Sequence, residues 1–124
     1  MVAAKTIETC KKKLVTFKAD LLNQLQNIKN DFNLVDKSRG DESDLAAAHQ
    51  EEHSFLVNQS RLKTQLLEIE FALSRMEQGT YGFCEETDEP IETERLLAIP
   101  WTRYSIEGAE IREALTKKSA HKNA

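Results

Sequence analysis

Two long stretches of this chain contain no residue that interrupts a helix, and this feature most constrains the fold. The four glycines and two prolines of the chain are Gly40, Gly79, Gly82, Gly108, Pro90 and Pro100. Residues 1–39 and 41–78 are therefore free of the two strongest helix breakers. We expect two long helices, followed by a shorter and more irregular segment.

Both stretches repeat positions at alternating steps of three and four, the spacing of a helix that packs along a partner helix. In the first stretch these are Ile7, Cys10, Leu14, Phe17, Leu21, Gln24, Ile28, Asp31 and Val35. In the second they are Leu45, Ala48, Glu52, Phe55, Gln59, Leu62, Leu66, Ile69, Leu73 and Met76. The polar positions Glu52 and Gln59 either fix the register or lie where the seam is solvated.

The polar segment DKSRGDES between the two stretches is so short that it can join only antiparallel neighbours. We predict a mainly α fold in which residues ~5–36 and ~42–78 form a long antiparallel coiled-coil hairpin, roughly 45–55 Å in length. The predicted domains are 1–78, with the tip of the hairpin near 37–46, and a small globular base over 79–124. A last helix is expected at residues ~107–118.

Composition narrows the class of protein. The net charge is −4 and the pI is near 5.4, so nonspecific and direct sequence-specific DNA binding are not expected. No apolar run is long enough for a membrane span, and the N-terminus does not resemble a secretion signal. Two cysteines are too few for a disulfide framework and suit a reducing compartment, so we expect a cytoplasmic protein.

The segment YGFCEETDEPIETERLLAIPWTRYSIEG has the spacing of a four-cysteine zinc knuckle, but it retains only one of the four zinc ligands. Cys84 is followed by Thr87 where the second cysteine belongs, and the second pair is Ser105 and Gly108. A structural zinc needs four N or S ligands, so we expect no metal at these positions. A recruited site that combines Cys84 with Glu85, Asp88 or a histidine is the alternative.

A knuckle without zinc loses binding energy on the order of 10–16 kcal/mol that would otherwise support folding. We expect five or six buried side chains, at roughly 1.5–3 kcal/mol each, to replace it. We also expect the hydroxyl groups of Thr87 and Ser105 to hydrogen-bond across the old site. The candidate core residues are Tyr81, Phe83, Ile91, Leu96, Leu97, Ile99, Trp101, Tyr104, Ile106, Ile111 and Leu115.

The segment between the two helices is acidic. Asp41 and Asp44 lie at the predicted turn and helix start, and small residues follow them. An aspartate at a helix N-cap satisfies free backbone donors, which explains one of the two. The second aspartate adds negative charge at the end of the predicted hairpin, where the neighbouring side chains are small.

The segment DESDLA, together with the knuckle spacing, resembles the D-x-x-D-x-A tip of the DksA/TraR family of RNA polymerase secondary-channel transcription factors. The resemblance continues through ALSRMEQGTYGFCEETDEPIETERLLAIPWT, and the missing zinc ligands resemble a zinc-independent branch of the family. It implies a non-enzymatic, monomeric factor whose coiled coil enters the secondary channel of RNA polymerase and modulates transcription initiation. The implied tip residues are Asp41, Asp44 and Ala46. The alternative is a coiled-coil adaptor that dimerises or docks on another protein.

The same resemblance bears on ppGpp, the alarmone of the bacterial stringent response. Where ppGpp-binding members of the family carry basic side chains, only Arg61 is basic here. The other three positions are Glu68, Ile99 and Ala109. We therefore expect ppGpp to have little effect, unless Lys63 or Arg95 substitutes from a neighbouring turn.

One competing motif is HQEEH, which fits the H-x-x-E-H pattern of a zinc peptidase. His49 and His53 share a helix face, and Glu52 could serve as a base. The motif lies beside the predicted coiled-coil tip and its glutamate is a seam position, so we expect surface histidines and no catalytic residue.

Overall fold

The computed structural model describes residues 2–37 and 45–122 of the chain. Four helices follow one another: α1 Ala4–Lys37, α2 Leu45–Gln78, α3 Thr93–Ala98 and α4 Ile106–Lys122. Outside the helices, an isolated antiparallel bridge joins Phe83 to Pro90. The described part of the chain contains no helix with the length and apolar character that crossing a membrane requires.

The two long helices confirm the predicted antiparallel hairpin. Each has 34 residues, and their ends agree with the expected boundaries to within a few positions. The buried side chains of the two helices fall on the predicted seam, except Ala72 beside it; among them are Leu14 and Leu21 on α1 and Leu62 and Ile69 on α2. Cys10 is also fully buried, as expected for a small core residue. Packing of these apolar positions supplies most of the stability of the two long helices.

The seam is not continuous. Gln24 and Glu52 are exposed, and Gln59 is half-buried. Glu52 therefore lies where the seam is solvated, which is one of the two interpretations that the sequence left open. Phe17, although apolar, is also exposed.

The chain divides into two compact units, Thr16–Leu67 and a second unit that combines Met1–Val15 with Glu68–Ala124. The first is the distal part of the hairpin. The second contains the start of α1, the end of α2, and both short helices. The sequence predicts a domain boundary at residue 78. The compact units are divided differently, because one unit contains residues 1–15 together with residues 68–124.

The second unit contains one helix that the sequence did not predict. Helix α3 has six residues, too few for a periodic pattern, and it buries Leu96. Helix α4 begins one residue before the predicted start and runs to Lys122.

The core of this unit is smaller than the candidate list. Tyr81, Ile91 and Leu96 are buried, and the half-buried candidates are Leu97, Ile99, Trp101 and Tyr104. The remaining four candidates are exposed: Phe83, Ile106, Ile111 and Leu115. Every residue of α4 from 110 to 117 is exposed, so this helix leaves the core after its first turn.

Polar side chains bind the carbonyl groups at and just beyond the end of α3. The Cys10 thiol donates to the Leu96 carbonyl at 3.4 Å, and the Lys13 ammonium donates to the Leu97 carbonyl at 2.8 Å. The Tyr81 hydroxyl donates to the Pro100 carbonyl at 2.8 Å. These bonds satisfy acceptors that a helix end leaves without an intrahelical partner, and they fix the start of α1 against α3.

Candidate functional site

The first half of the knuckle is a tight turn that begins at Cys84. The Asp88 amide donates to the Cys84 carbonyl at 2.9 Å, and the Cys84 amide donates to the Glu89 carbonyl at 2.8 Å. Asp88 has a φ of 60°, in the left-handed region that aspartate tolerates better than most residues. The Thr87 hydroxyl accepts from the Glu89 amide at 3.3 Å, which holds the threonine at the turn.

The second half of the knuckle is the start of α4. Ser105 is the residue before the helix, and its hydroxyl accepts from the Gly108 amide at 3.0 Å. This is the bond that an N-cap serine makes with the third helical residue. The Glu92 carboxylate accepts from the Ile106 amide at 3.2 Å, so two donors of the first turn are satisfied.

These two halves meet at the sulfur of Cys84. The thiol is only 1% exposed, and the side chains and backbone amides of Ser105 and Thr87 all hydrogen-bond to it. Burial opposes ionisation of the Cys84 thiol, but these hydrogen bonds outweigh it and lower the pKa from 9.0 to about 7. The hydroxyl groups of Ser105 and Thr87 thus lie beside the Cys84 sulfur, as the bonds predicted across the old site require.

The fourth knuckle position, Gly108, lies against the same sulfur. A Cβ atom built on Gly108 would collide with Cys84 Sγ, closer than any real contact allows. The sulfur therefore fills the space that a side chain at position 108 would need. Close packing against the sulfur therefore requires glycine at position 108. Glycine also has no side chain that could bind a metal.

The residues at the knuckle do not fit a structural zinc ion. Thiolate and imidazole are the usual zinc ligands, and the four positions supply one thiol, two hydroxyl groups and no side chain. Within residues 2–37 and 45–122, no group of three or more His, Cys, Asp or Glu residues could hold a metal. Glu85, one candidate for a recruited site, is exposed and forms an ion pair with Arg103 at 3.6 Å.

The acidic tip lies largely outside the described residues. Asp41 and Asp44 belong to residues 38–44, of which the structure describes nothing. Ala46 is described: it is exposed and lies in the first turn of α2.

The histidines of the HQEEH motif are surface residues. His49, Glu52 and His53 are all exposed on α2. The three side chains form no metal-holding cluster in the part of the chain that the structure describes.

Three charged residues that the resemblance connects with ppGpp have partners within the chain: Arg61, Glu68 and Arg95. Arg61 is exposed and donates to the Asn58 side chain at 2.8 Å. Glu68 pairs with Arg103 at 3.8 Å. Arg95 is half-buried and donates to the Tyr104 carbonyl at 2.8 Å, so its guanidinium is partly committed to the fold.

A cluster around Tyr104 was not predicted from the sequence. The guanidinium groups of Arg103 and Arg112 lie 5.2 and 5.8 Å from the centre of the Tyr104 ring. Arg103 also joins Glu68 on α2 to Glu85 in the knuckle turn. No local motif indicates this cluster, because Glu68 and Glu85 are distant in sequence from Arg103 and Tyr104.

Comparison with known proteins decides the family. Residues 79–114 match the model of the prokaryotic dksA/traR C4-type zinc finger. The RNA polymerase-binding transcription factor DksA of Caulobacter vibrioides is 32% identical, over 86% of this chain and 75% of that protein. The chain belongs to the DksA/TraR family.

The chain is also similar to a second protein sequence and to a solved structure. An uncharacterized protein of Aquifex aeolicus is 39% identical, over 84% of this chain and 74% of that protein. The structure of transcription factor DksA2 from Pseudomonas aeruginosa superposes with a TM-score of 0.84 at 28% identity. This superposition covers 92% of this chain and 88% of the DksA2 chain. The matched zinc-finger segment of this DksA/TraR member nevertheless carries only one zinc-binding side chain at the four knuckle positions.

Proposed function

We propose that this chain binds RNA polymerase as a single molecule, through the secondary channel, and modulates transcription initiation without catalysing a reaction. The main support for this proposal is that the chain belongs to the DksA/TraR family. It also has two 34-residue helices, one before and one after an acidic segment. The acidic tip residues Asp41 and Asp44, with Ala46, would act near the polymerase active site. Such a protein works in the cytoplasm.

Physical properties of the chain support this role. Its negative charge disfavours direct binding to DNA, so an effect on transcription requires a protein partner. A long hairpin is suited to enter a narrow opening, because its two helices support each other along the seam.

The test of this proposal is capture by RNA polymerase core enzyme from a purified mixture. We expect binding to the polymerase, and displacement by another factor that occupies the secondary channel. Binding that such a factor does not displace would favour the adaptor alternative, in which the hairpin docks elsewhere. Absence of binding would contradict the proposed function altogether.

We further propose that the knuckle folds without zinc. Its support is the donor set: one thiol hydrogen-bonded by Thr87 and Ser105, packed against Gly108. We expect the thermal midpoint of the protein to remain within about 1 °C in excess chelator, since no four-ligand site exists to contribute binding energy. The measurement is thermal unfolding by circular dichroism, with metal analysis of the gently purified protein. One equivalent of tightly bound zinc, and unfolding on chelation, would contradict this proposal.

A prediction about ppGpp follows from the charges near Arg61. A polyphosphate anion needs charge-assisted donors, and the related positions offer an ion-paired glutamate, an isoleucine and an alanine. Loss of three such contacts, at about 1.5–3 kcal/mol each, would weaken binding by several powers of ten. We expect less than about a twofold change in the effect of the protein when ppGpp is added.

The assay for this prediction is in vitro initiation with a polymerase that lacks its other ppGpp site. The control is the same polymerase without this protein. Strong synergy, lost on Lys63→Ala or Arg95→Ala, would show that one of these side chains has taken over the contact.

A further inference from the structure

Two histidines of α2 form a pair that the proposed function does not use. His49 and His53 are both exposed, and the second follows the first by four residues of the same helix. That spacing is about 40° around the helix axis and about 6 Å along it. Side chains so placed are neighbours on one helix face, with Cβ atoms about 5–6 Å apart. We call these two residues the histidine pair.

The spacing of the histidine pair suits a transition-metal ion. Helices of zinc peptidases hold their metal with two histidines four residues apart, because both imidazoles then lie on the same face. An imidazole nitrogen lies about 2.0–2.1 Å from bound zinc, so the two rings must turn toward one point above the helix. Both side chains are exposed, so they can turn in this way without displacing a core residue.

The charges on this part of α2 favour a cation. Apart from the two histidines, the only charged residues in positions 45–60 are Glu51 and Glu52, and the next basic residue is Arg61. Both glutamates lie between the histidines in the sequence, within one helical turn of each. Their negative charge attracts a divalent cation to the pair.

The number of ligands distinguishes this pair from a structural or a catalytic metal site. A structural zinc ion has four protein ligands, and a catalytic one usually has three. Among the described residues, no further His, Cys, Asp or Glu completes a metal-holding group of three. Water would occupy the remaining coordination positions, so the ion would exchange readily and would not be needed for folding.

We propose that His49 and His53 together bind one exchangeable divalent cation of the class that prefers imidazole, namely Cu²⁺, Ni²⁺ or Zn²⁺. The pair and the knuckle belong to different compact units, so the proposal leaves the zinc-free knuckle unchanged. His49 follows Ala46 by three residues, which is less than one helical turn, so a bound cation adds positive charge beside the proposed tip. The proposal does not depend on the proposed role in transcription, because it concerns the free chain.

Isothermal titration calorimetry of the full chain with Ni²⁺ tests the proposal. We expect one Ni²⁺ ion per chain. The buried thiols of Cys10 and Cys84 should not compete for the ion. The thermal midpoint of the protein should also rise with the concentration of Ni²⁺, because the folded helix holds the two imidazoles together and the unfolded chain does not.

A matched variant exchanges two neighbouring residues, His53→Ser combined with Ser54→His. Composition and charge stay the same, and both positions are exposed. The histidines are then five residues apart, about 140° around the helix axis, and cannot share one ion. We expect the affinity for Ni²⁺ to fall at least about tenfold. His49→Ala should cause a similar loss, whereas His121→Ala, which removes the third histidine of the sequence, should leave the affinity unchanged.

Circular dichroism verifies that each variant keeps the helix content of the wild type, and His49→Ala decides the question if the exchange disturbs the helix. Three outcomes would overturn the proposal. The first is no measurable binding of Ni²⁺ by the wild type. The second is equal affinity in the wild type and in both variants of the pair, which would place the ion elsewhere. The third is one Ni²⁺ ion per two chains, which would mean that the ion bridges two copies.

Discussion

Replacing Asp44 by asparagine should lower the effect of the protein on initiation at a responsive promoter at least about tenfold. A carboxylate that acts near the polymerase active site contributes a charge-assisted contact of about 1.5–3 kcal/mol, and 1.4 kcal/mol corresponds to a factor of ten. Asparagine keeps the size and the capping ability of aspartate at a helix start, so the free energy of unfolding should change by less than about 0.5 kcal/mol. The two measurements are in vitro initiation and urea denaturation.

Binding to the polymerase should persist in this variant, since the hairpin itself is unchanged. Asp20→Asn is a suitable control, because it removes an equivalent charge from an exposed position of α1. Full activity of Asp44→Asn on a responsive promoter would show that the tip acts through something other than this carboxylate. Equal loss of activity in both variants would assign the effect to overall charge.

Gly108→Ala should destabilise the protein by about 1–3 kcal/mol, the usual cost of forcing an extra methyl group into a packed core. At an ordinary helical position, the same change would stabilise by up to about 1 kcal/mol, because alanine has the higher helix propensity. The sign is reversed here because the new Cβ would collide with the buried sulfur of Cys84. Chemical denaturation of the purified variant measures the effect.

The paired variant isolates the cause. Removing the sulfur by Cys84→Ala costs stability by itself, but it clears the space beside position 108. In that background, Gly108→Ala should become neutral or stabilising, so the two changes should be strongly non-additive. Additive losses would mean that the glycine is needed for backbone conformation, and that the contact with sulfur is incidental.

The sequence predicts the parts of this fold that depend on local patterns. The absence of glycine and proline, with the heptad spacing around Leu14 and Leu62, is enough to indicate two long helices. The spacing of Cys84, Thr87, Ser105 and Gly108 likewise indicates that these positions meet, because turns at fixed separation are retained when ligands are lost.

The remaining features depend on contacts between distant residues. Helix α3 is shorter than two turns, so its burial of Leu96 produces no periodic signal. Ile111 and Leu115 have the four-residue spacing of a buried face, yet α4 leaves the core before it reaches them. The pairing of Arg103 with Glu68 joins the knuckle to α2 across a long stretch of chain, and no pattern within either segment indicates it.

The bond between Cys10 and the Leu96 carbonyl closes a loop of 86 residues, and it has a consequence for how the protein is made. The residues at the start of α1 are synthesised well before their partners on α3. Contacts so far apart in sequence make folding slow, and the early apolar surface stays open to incorrect association meanwhile. We therefore expect the zinc-finger segment 79–114 not to fold by itself, because residues of α1 belong to the same compact unit.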